Sequence, residues 1–227
     1  MGEYQNLIID VLADSDNTET YVQEEIEGVH KELKVPSEAL KLGGFTVSAE
    51  SSQTFVVEFG LRHAMTDNPG PDRYILKPTG VRVVRLADVS HISGNVELTA
   101  SCALSDDESL SHVAYLYEGH ELDTALLGDV FDPELDTDVP ENIIVPAVAT
   151  SIEDNGDYLF PYLNAGDYTV AISCNAPEDN AADYDEIVIP SPEGHLVELT
   201  LATETNMECD FVEGLEVTCE ETALSLD

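Results

Sequence analysis

Residues 156–170, Gly156-Asp157-Tyr158-Leu159-Phe160-Pro161-Tyr162-Leu163-Asn164-Ala165-Gly166-Asp167-Tyr168-Thr169-Val170, decide the fold class. Tyr158 and Phe160 stand two residues apart and so share one face of an extended strand. Tyr168 and Val170 do the same on the next strand. Asn164-Ala165-Gly166-Asp167 between them is turn chemistry, and Gly166 can reverse the chain tightly. The spacing predicts two strands, residues 158–163 and 168–174, folded back on each other.

The same signals extend outward. Residues 92–100 alternate, and residues 113–117 read as a compact strand ending before Gly119. Residues 142–149 are apolar, but Pro146 makes them an edge strand at best. Residues 187–189, 196–202 and 215–219 follow. Short strands at regular spacing predict a β-sandwich. Nearer the start, Leu7, Ile9 and Val11 alternate. Residues 29–35 pair with 21–26 through Glu27-Gly28, and residues 45–47, 53–59, 74–77 and 81–86 complete the set. In residues 53–59 the face carrying Phe55, Val57 and Phe59 is expected to be core. Residues 61–66 read as one helical turn and residues 67–72 as a loop.

Charge divides the chain. There are 47 Asp and Glu against 8 Lys and Arg, a net charge of −39. All eight basic residues lie between Lys31 and Arg85; residues 86–227 hold 33 acids and no Lys or Arg. The step predicts two domains, 1–89 and 90–227. So acidic a surface excludes a sequence-independent nucleic-acid binder and disfavours an anionic membrane leaflet. No apolar run reaches the ~20 residues of a membrane helix. The acids must be solvated, screened or bound to cations, which suits a saline or calcium-rich medium.

Two resemblances follow. Tyr4-Gln5-Asn6-Leu7-Ile8-Ile9-Asp10-Val11, Glu32-Leu33-Lys34-Val35-Pro36-Ser37, Leu40-Lys41-Leu42-Gly43-Gly44-Phe45-Thr46-Val47, Phe55-Val56-Val57-Glu58-Phe59-Gly60-Leu61-Arg62, Arg73-Tyr74-Ile75-Leu76-Lys77-Pro78 and His91-Ile92-Ser93-Gly94-Asn95-Val96 come in an order that resembles the C-terminal half of the domain of unknown function 4382 family. That family occurs in exported proteins and lipoproteins of bacteria and archaea. The resemblance covers residues 4–96 and implies a sandwich lacking its first strands, with an export signal upstream of Met1. Residues 156–170, with Ile92-Ser93-Gly94-Asn95-Val96 as an opening strand, resemble carboxypeptidase regulatory-like, prealbumin-like sandwiches over residues 90–204. The acid-rich insert at 118–141 departs from that pattern. The resemblance implies an accessory module rather than an enzyme.

Four cysteines, Cys102, Cys174, Cys209 and Cys219, form no C-x-x-C, and no His lies within metal-ligand spacing of a Cys pair, which argues against zinc. Of three pairings, Cys102–Cys174 and Cys209–Cys219 are favoured, the second around a turn at Glu213-Gly214; four free thiols are the alternative. An even number fits an oxidising compartment.

No serine-hydrolase elbow, P-loop, zincin or dinucleotide motif occurs. His30, His63, His91, His112, His120 and His195 are scattered and read as surface or satisfied residues. No catalytic, cofactor-binding or metal residue is assigned. Two clusters suit Ca²⁺ by their oxygen ligands, Asp132-Pro133-Glu134-Leu135-Asp136-Thr137-Asp138 and Glu178-Asp179-Asn180 with Asp183, Asp185 and Glu186. Neither matches an EF-hand, and solvated acidic loops are the simpler reading.

The expectation is an all-β protein of two β-sandwich modules in tandem, the first truncated and the second prealbumin/Ig-like. It is non-enzymatic, exported, and serves adhesion, surface assembly or binding of a protein or glycan ligand. A carbohydrate-binding module using Tyr115, Tyr117, Tyr162 or Tyr184 is one alternative, and an acid-pair hydrolase another.

Overall fold

The computed structural model describes residues 2–12, 19–23, 29–47, 53–68, 72–98, 102, 111–131, 139–174, 176, 179, 183–212 and 216–224. The protein is all-β, and its longest helix among these residues is the turn Leu61–Ala64. No helix among them is long and apolar enough to cross a membrane. The chain forms two compact units, Met1–Val83 and Val84–Asp227.

The first unit contains β1 (Gly2–Tyr4), β2 (Leu7–Asp10), β3 (Tyr21–Gln23), β4 (His30–Lys34), β5 (Ala39–Leu42), β6 (Phe45–Val47), β7 (Phe55–Phe59), β8 (Met65–Asn68), β9 (Arg73–Leu76) and β10 (Val81–Arg85), whose last residues pass into the second unit. β3-β4-β9-β8 form one sheet, while β1–β6, β2–β5 and β7–β10 pair separately. The alternation of β2 works as expected: Leu7, Ile9 and Val11 pack on a core of Val35, Leu40, Leu42, Ala64, Leu76 and Val81. Two expectations fail. Asp67 and Asn68 belong to β8, where they face Tyr74 and Arg73, because the antiparallel ladder continues past the helical turn. Of the aromatic face of β7, Val57 reaches the core and Phe55 packs on Phe45 at 4.9 Å, but Phe59 is exposed.

The second unit contains β11 (Ser90–Asn95), β12 (Val113–Glu118), β13 (Val148–Ser151), β14 (Asp157–Leu163), β15 (Gly166–Ser173), β16 (Leu196–Leu201), β17 (Thr205–Val212) and β18 (Glu216–Ala223). They form two four-stranded sheets, β14-β11-β17-β18 and β13-β12-β15-β16. The expected hairpin is therefore an arch: β14 and β15 are consecutive but lie in different sheets. β14 itself bulges at Tyr162, in the left-handed region with φ 54°, where its register with β11 shifts between Ser90 and Ile92, and Gly166 has no positive φ. Tyr158, Phe160, Tyr168 and Val170 still point into one core, now from opposite sides of a sandwich. Alternation specifies which face is apolar, and both connections satisfy it equally.

Two further strands depart from expectation. The apolar segment at 142–149 yields its edge strand later, as β13 beside β12, because Pro146 cannot join the ladder. Residues 187–189 form no strand.

β11 and β17 run parallel, and Gly94 makes their closeness feasible. A Cβ there would lie 1.8 Å from the Cys209 carbonyl oxygen. In its absence the Tyr158 hydroxyl donates to that same oxygen at 2.6 Å. Both favoured disulfides are present, Cys102–Cys174 and Cys209–Cys219, and the latter joins directly opposed residues of β17 and β18.

Candidate site beneath the acidic cover

β12 is apolar on both faces. Ala114 and Leu116 enter the core between the sheets, whereas Val113, Tyr115 and Tyr117 point outward. A sheet with both faces apolar needs a layer on each side. The second layer comes from two long connections, 119–147 and 174–195. Leu122, Leu127, Val130 and Ile144 from the first, and Ala176, Ile187 and Ile189 from the second, pack over the outward face. Leu127 bridges Ile144, and Gly128 N–H donates to the Ile144 carbonyl at 3.0 Å. The insert that departs from the compact family pattern is thus, where described, a lid on the sheet. Tyr115 and Tyr117 are fully buried under it, which corrects the expectation that they offer a sugar-stacking surface. Tyr162 and Tyr184 are half-buried, against His91 and Phe131 respectively.

Inside this cover the two connections meet at Asp129. Its carboxylate is fully buried. Oδ2 accepts the backbone N–H groups of Asp185 at 3.1 Å and Ile187 at 3.0 Å. Oδ1 is buried with no hydrogen-bond partner. Burial pushes the carboxyl up to about 6, opposed by the Ile187 N–H and assisted by the charges of Asp179 and Asp185. The Tyr115 hydroxyl donates to Asp179 Oδ2, and that of Tyr117 to the Gly128 carbonyl, each at 2.7 Å. Burial raises the Tyr117 phenol far above its ordinary value, with Asp129 and Asp179 adding to the effect. Tyr184 is also raised, by burial and then by Asp129 and Glu186. A Cβ at Gly128 would lie 2.3 Å from Ile143 Cγ2, so the chain can pass there only without a side chain. The arrangement holds acidic oxygens and phenols together, and among the described residues the charges acting on Asp129 include no basic side chain.

The sequence singled out Asp179, Asp183, Asp185 and Glu186, and the structure brings Asp179 and Asp185 to Asp129. The cluster at residues 132–138 lies outside the described residues, as do Glu178 and Asn180. Asp129 itself was missed. Its signal was an acid inside the apolar run Leu126-Leu127-Gly128-Asp129-Val130-Phe131.

Cys102, His112 and Cys174 bring their ligand atoms within 4.8 Å of one another, although no His lies within metal-ligand spacing of a Cys pair in the sequence. The sulfurs bond each other, and His112 Nδ1 donates to the Cys174 carbonyl at 3.0 Å. Cys174 is the distant member, 62 residues from His112 and 72 from Cys102, and no local pattern joins it to them. Among the other histidines, His30 stacks on Tyr21, His120 Nε2 donates to the Leu199 carbonyl at 2.8 Å, and His195 is buried beside Phe211. The side chain of His63 lies outside the described residues.

No family model matches the chain, and no curated protein matches it. Among solved structures, a "putative cell adhesion protein" from Bacteroides uniformis ATCC 8492 is similar over 81% of this chain and 80% of its own, at 9% identity and a TM-score of 0.29. A likeness at that level carries no argument about this chain's role.

Proposed function

We propose that the chain is a non-enzymatic protein of the cell envelope or extracellular space that binds a protein or glycan ligand in adhesion or surface assembly. The observation that carries this reading is how the second unit is held together. It is cross-linked by two disulfides, which persist in oxidising compartments. Its sheet is buried on both faces, and residues 86–227 present acids without one Lys or Arg. Such a surface selects partners by charge and raises their encounter rate. The resemblances to the exported family and to accessory sandwiches support the same role. Burial of Asp129 speaks against its use as the acid of a hydrolase, because no polymer reaches it.

The test uses the purified chain on a glycan array and on intact cells, beside a panel of glycoside and ester substrates. Saturable retention by one ligand class without turnover is expected. Turnover that disappears on substituting one carboxylate, with nothing retained, overturns the reading. Alkylation in the native cell adds a check on compartment: all four cysteines should resist reagent until reduced, and free thiols would refute export.

A further inference from the structure

We propose that Asp129, with Asp179 beside it, forms a binding site for a hard divalent cation, calcium by preference, under the cover of the second unit. This does not rest on the adhesion reading.

The first observation is the orphan oxygen. Asp129 Oδ2 is satisfied by two backbone N–H groups, while Oδ1 is buried without a donor. A buried ionised carboxylate needs compensation at both oxygens, and an unmet one carries a large desolvation cost. The second observation is the lack of an internal counter-charge. The charges that act on Asp129 are those of Asp179 and Asp185, both of its own sign. The chain has no Lys or Arg after Arg85, and Arg85 is engaged by Asp88 through two hydrogen bonds of 2.5 Å. Compensation must come from solvent.

Donor chemistry selects the cation. The groups gathered around Asp129 are carboxylates and phenols, with the Gly128 carbonyl next in sequence. Oxygen donors in an irregular arrangement suit Ca²⁺; Mg²⁺ demands a near-ideal octahedron. The only trio of ligating side chains within 4.8 Å among the described residues is Cys102, His112 and Cys174. Asp129 therefore shares a cation with one other described carboxylate at most, and backbone oxygens and water complete the shell. That places affinity at the weak end for calcium modules, with a Kd of about 10⁻⁴–10⁻³ M. A cation held there fastens 128–131 and 184–187 to the face of β12.

The chain provides its own probe. It has no Trp, so Tb³⁺ substituting for Ca²⁺ is sensitised by tyrosine, and Tyr115, Tyr117 and Tyr184 surround the site. Tyrosine-excited Tb³⁺ luminescence is titrated in NaCl high enough to screen the surface, then competed with CaCl₂. Saturable emission displaced by millimolar CaCl₂ is expected, with a rise in Tm that saturates over the same range. Asp129→Asn should weaken binding by roughly tenfold or more, and Asp179→Asn severalfold. Glu153→Gln, on the exposed surface, should leave it unchanged. Emission that climbs without saturating, or that saturates equally in Asp129→Asn, overturns the site. If Asp129→Asn fails to fold, Asp179→Asn decides, because its amide oxygen still accepts the Tyr115 hydroxyl; unchanged affinity there refutes the proposal.

Discussion

The two units solve stability in opposite ways. The first holds seven of the eight basic residues and spends several on ion pairs: Lys31 with Asp72 at 3.1 Å, Arg73 with Glu32 at 3.8 Å, and Arg82 with Glu58. Among the described residues its strands are short and pair in four small sheets, three of which contribute to one core. The second unit has one Arg and many acids, yet it contains nearly all of the largest fully buried side chains, Tyr115, Tyr117, Phe160 and Phe211 among them. It places apolar layers on both faces of one sheet and adds covalent cross-links. A polyanion with a single Arg must gain in its interior what repulsion costs at its surface.

The comparison breaks most visibly on reduction. Cys102–Cys174 spans 72 residues, and loop closure of that length is worth ~4 kcal/mol; Cys209–Cys219 spans 10 and is worth ~3 kcal/mol. The first unit has no cysteine. Hydrogen exchange with and without reductant should accelerate in peptides of 84–227 and stay level in those of 1–83. Cys102→Ala with Cys174→Ala should lower stability more than the Cys209/Cys219 double variant. Equal acceleration in both units would mean that the cross-links do not distinguish them.

Salt sharpens the same contrast more gently. Raising NaCl through the range where the Debye length falls from about 10 Å to 3 Å should increase exchange protection of the second unit smoothly, because Arg85, paired with Asp88, is its one Lys or Arg, so screening weakens few attractions there. The first unit should gain less, since screening also weakens its ion pairs. A parallel gain in both would refute carboxylate repulsion as the second unit's burden.

A third prediction concerns the cover. Tyr117→Phe removes the hydroxyl that satisfies the buried Gly128 carbonyl and should cost ~1–3 kcal/mol in chemical denaturation. Phe59→Ala, at an exposed aromatic of the first unit, should cost clearly less. The same residues show what sequence conveys. Alternation marked β2, β14 and β15, and a compact apolar run marked β12, because side-chain direction and composition in a strand are local properties. The Cys209–Cys219 bridge was readable because its halves lie ten residues apart in the sequence, on either side of the turn-forming pair Glu213-Gly214. The sheet to which each strand belongs was not, since Asn164-Ala165-Gly166-Asp167 suits a hairpin and an arch alike. The burial of Tyr115 and Tyr117 had a signal that went unused: residues 113–117, Val-Ala-Tyr-Leu-Tyr, contain no charged residue on either face, the mark of a strand covered twice. Asp129 depends on contacts to residues more than fifty positions away, and only the acid within its apolar run hinted at burial.

The smallest effect follows from a difference in buried polar groups. Among the described residues the first unit buries Thr66, whereas the second buries Ser90, Asp129, Thr169, Ser173 and His195. Burial lowers the His195 pKa, and its Nδ1 has no partner. The folded state then resists the proton that the unfolded chain accepts. Above the unfolded value of about 6.5 both states are neutral and the contribution is intact. It is lost as pH falls from there through the depressed folded value, at no more than ~1.4 kcal/mol per pH unit. Asp129 slopes the other way, since a carboxyl raised to about 6 loses stability as pH rises from its unfolded value towards 6. The two partly cancel in the wild type, so the informative quantity is the difference between wild type and His195→Leu. Denaturation midpoints from pH 7.5 downward should show the variant holding its stability where the wild type declines. Parallel curves would place the proton elsewhere, and a steeper decline in the variant would mean that His195 is charged and compensated within the fold.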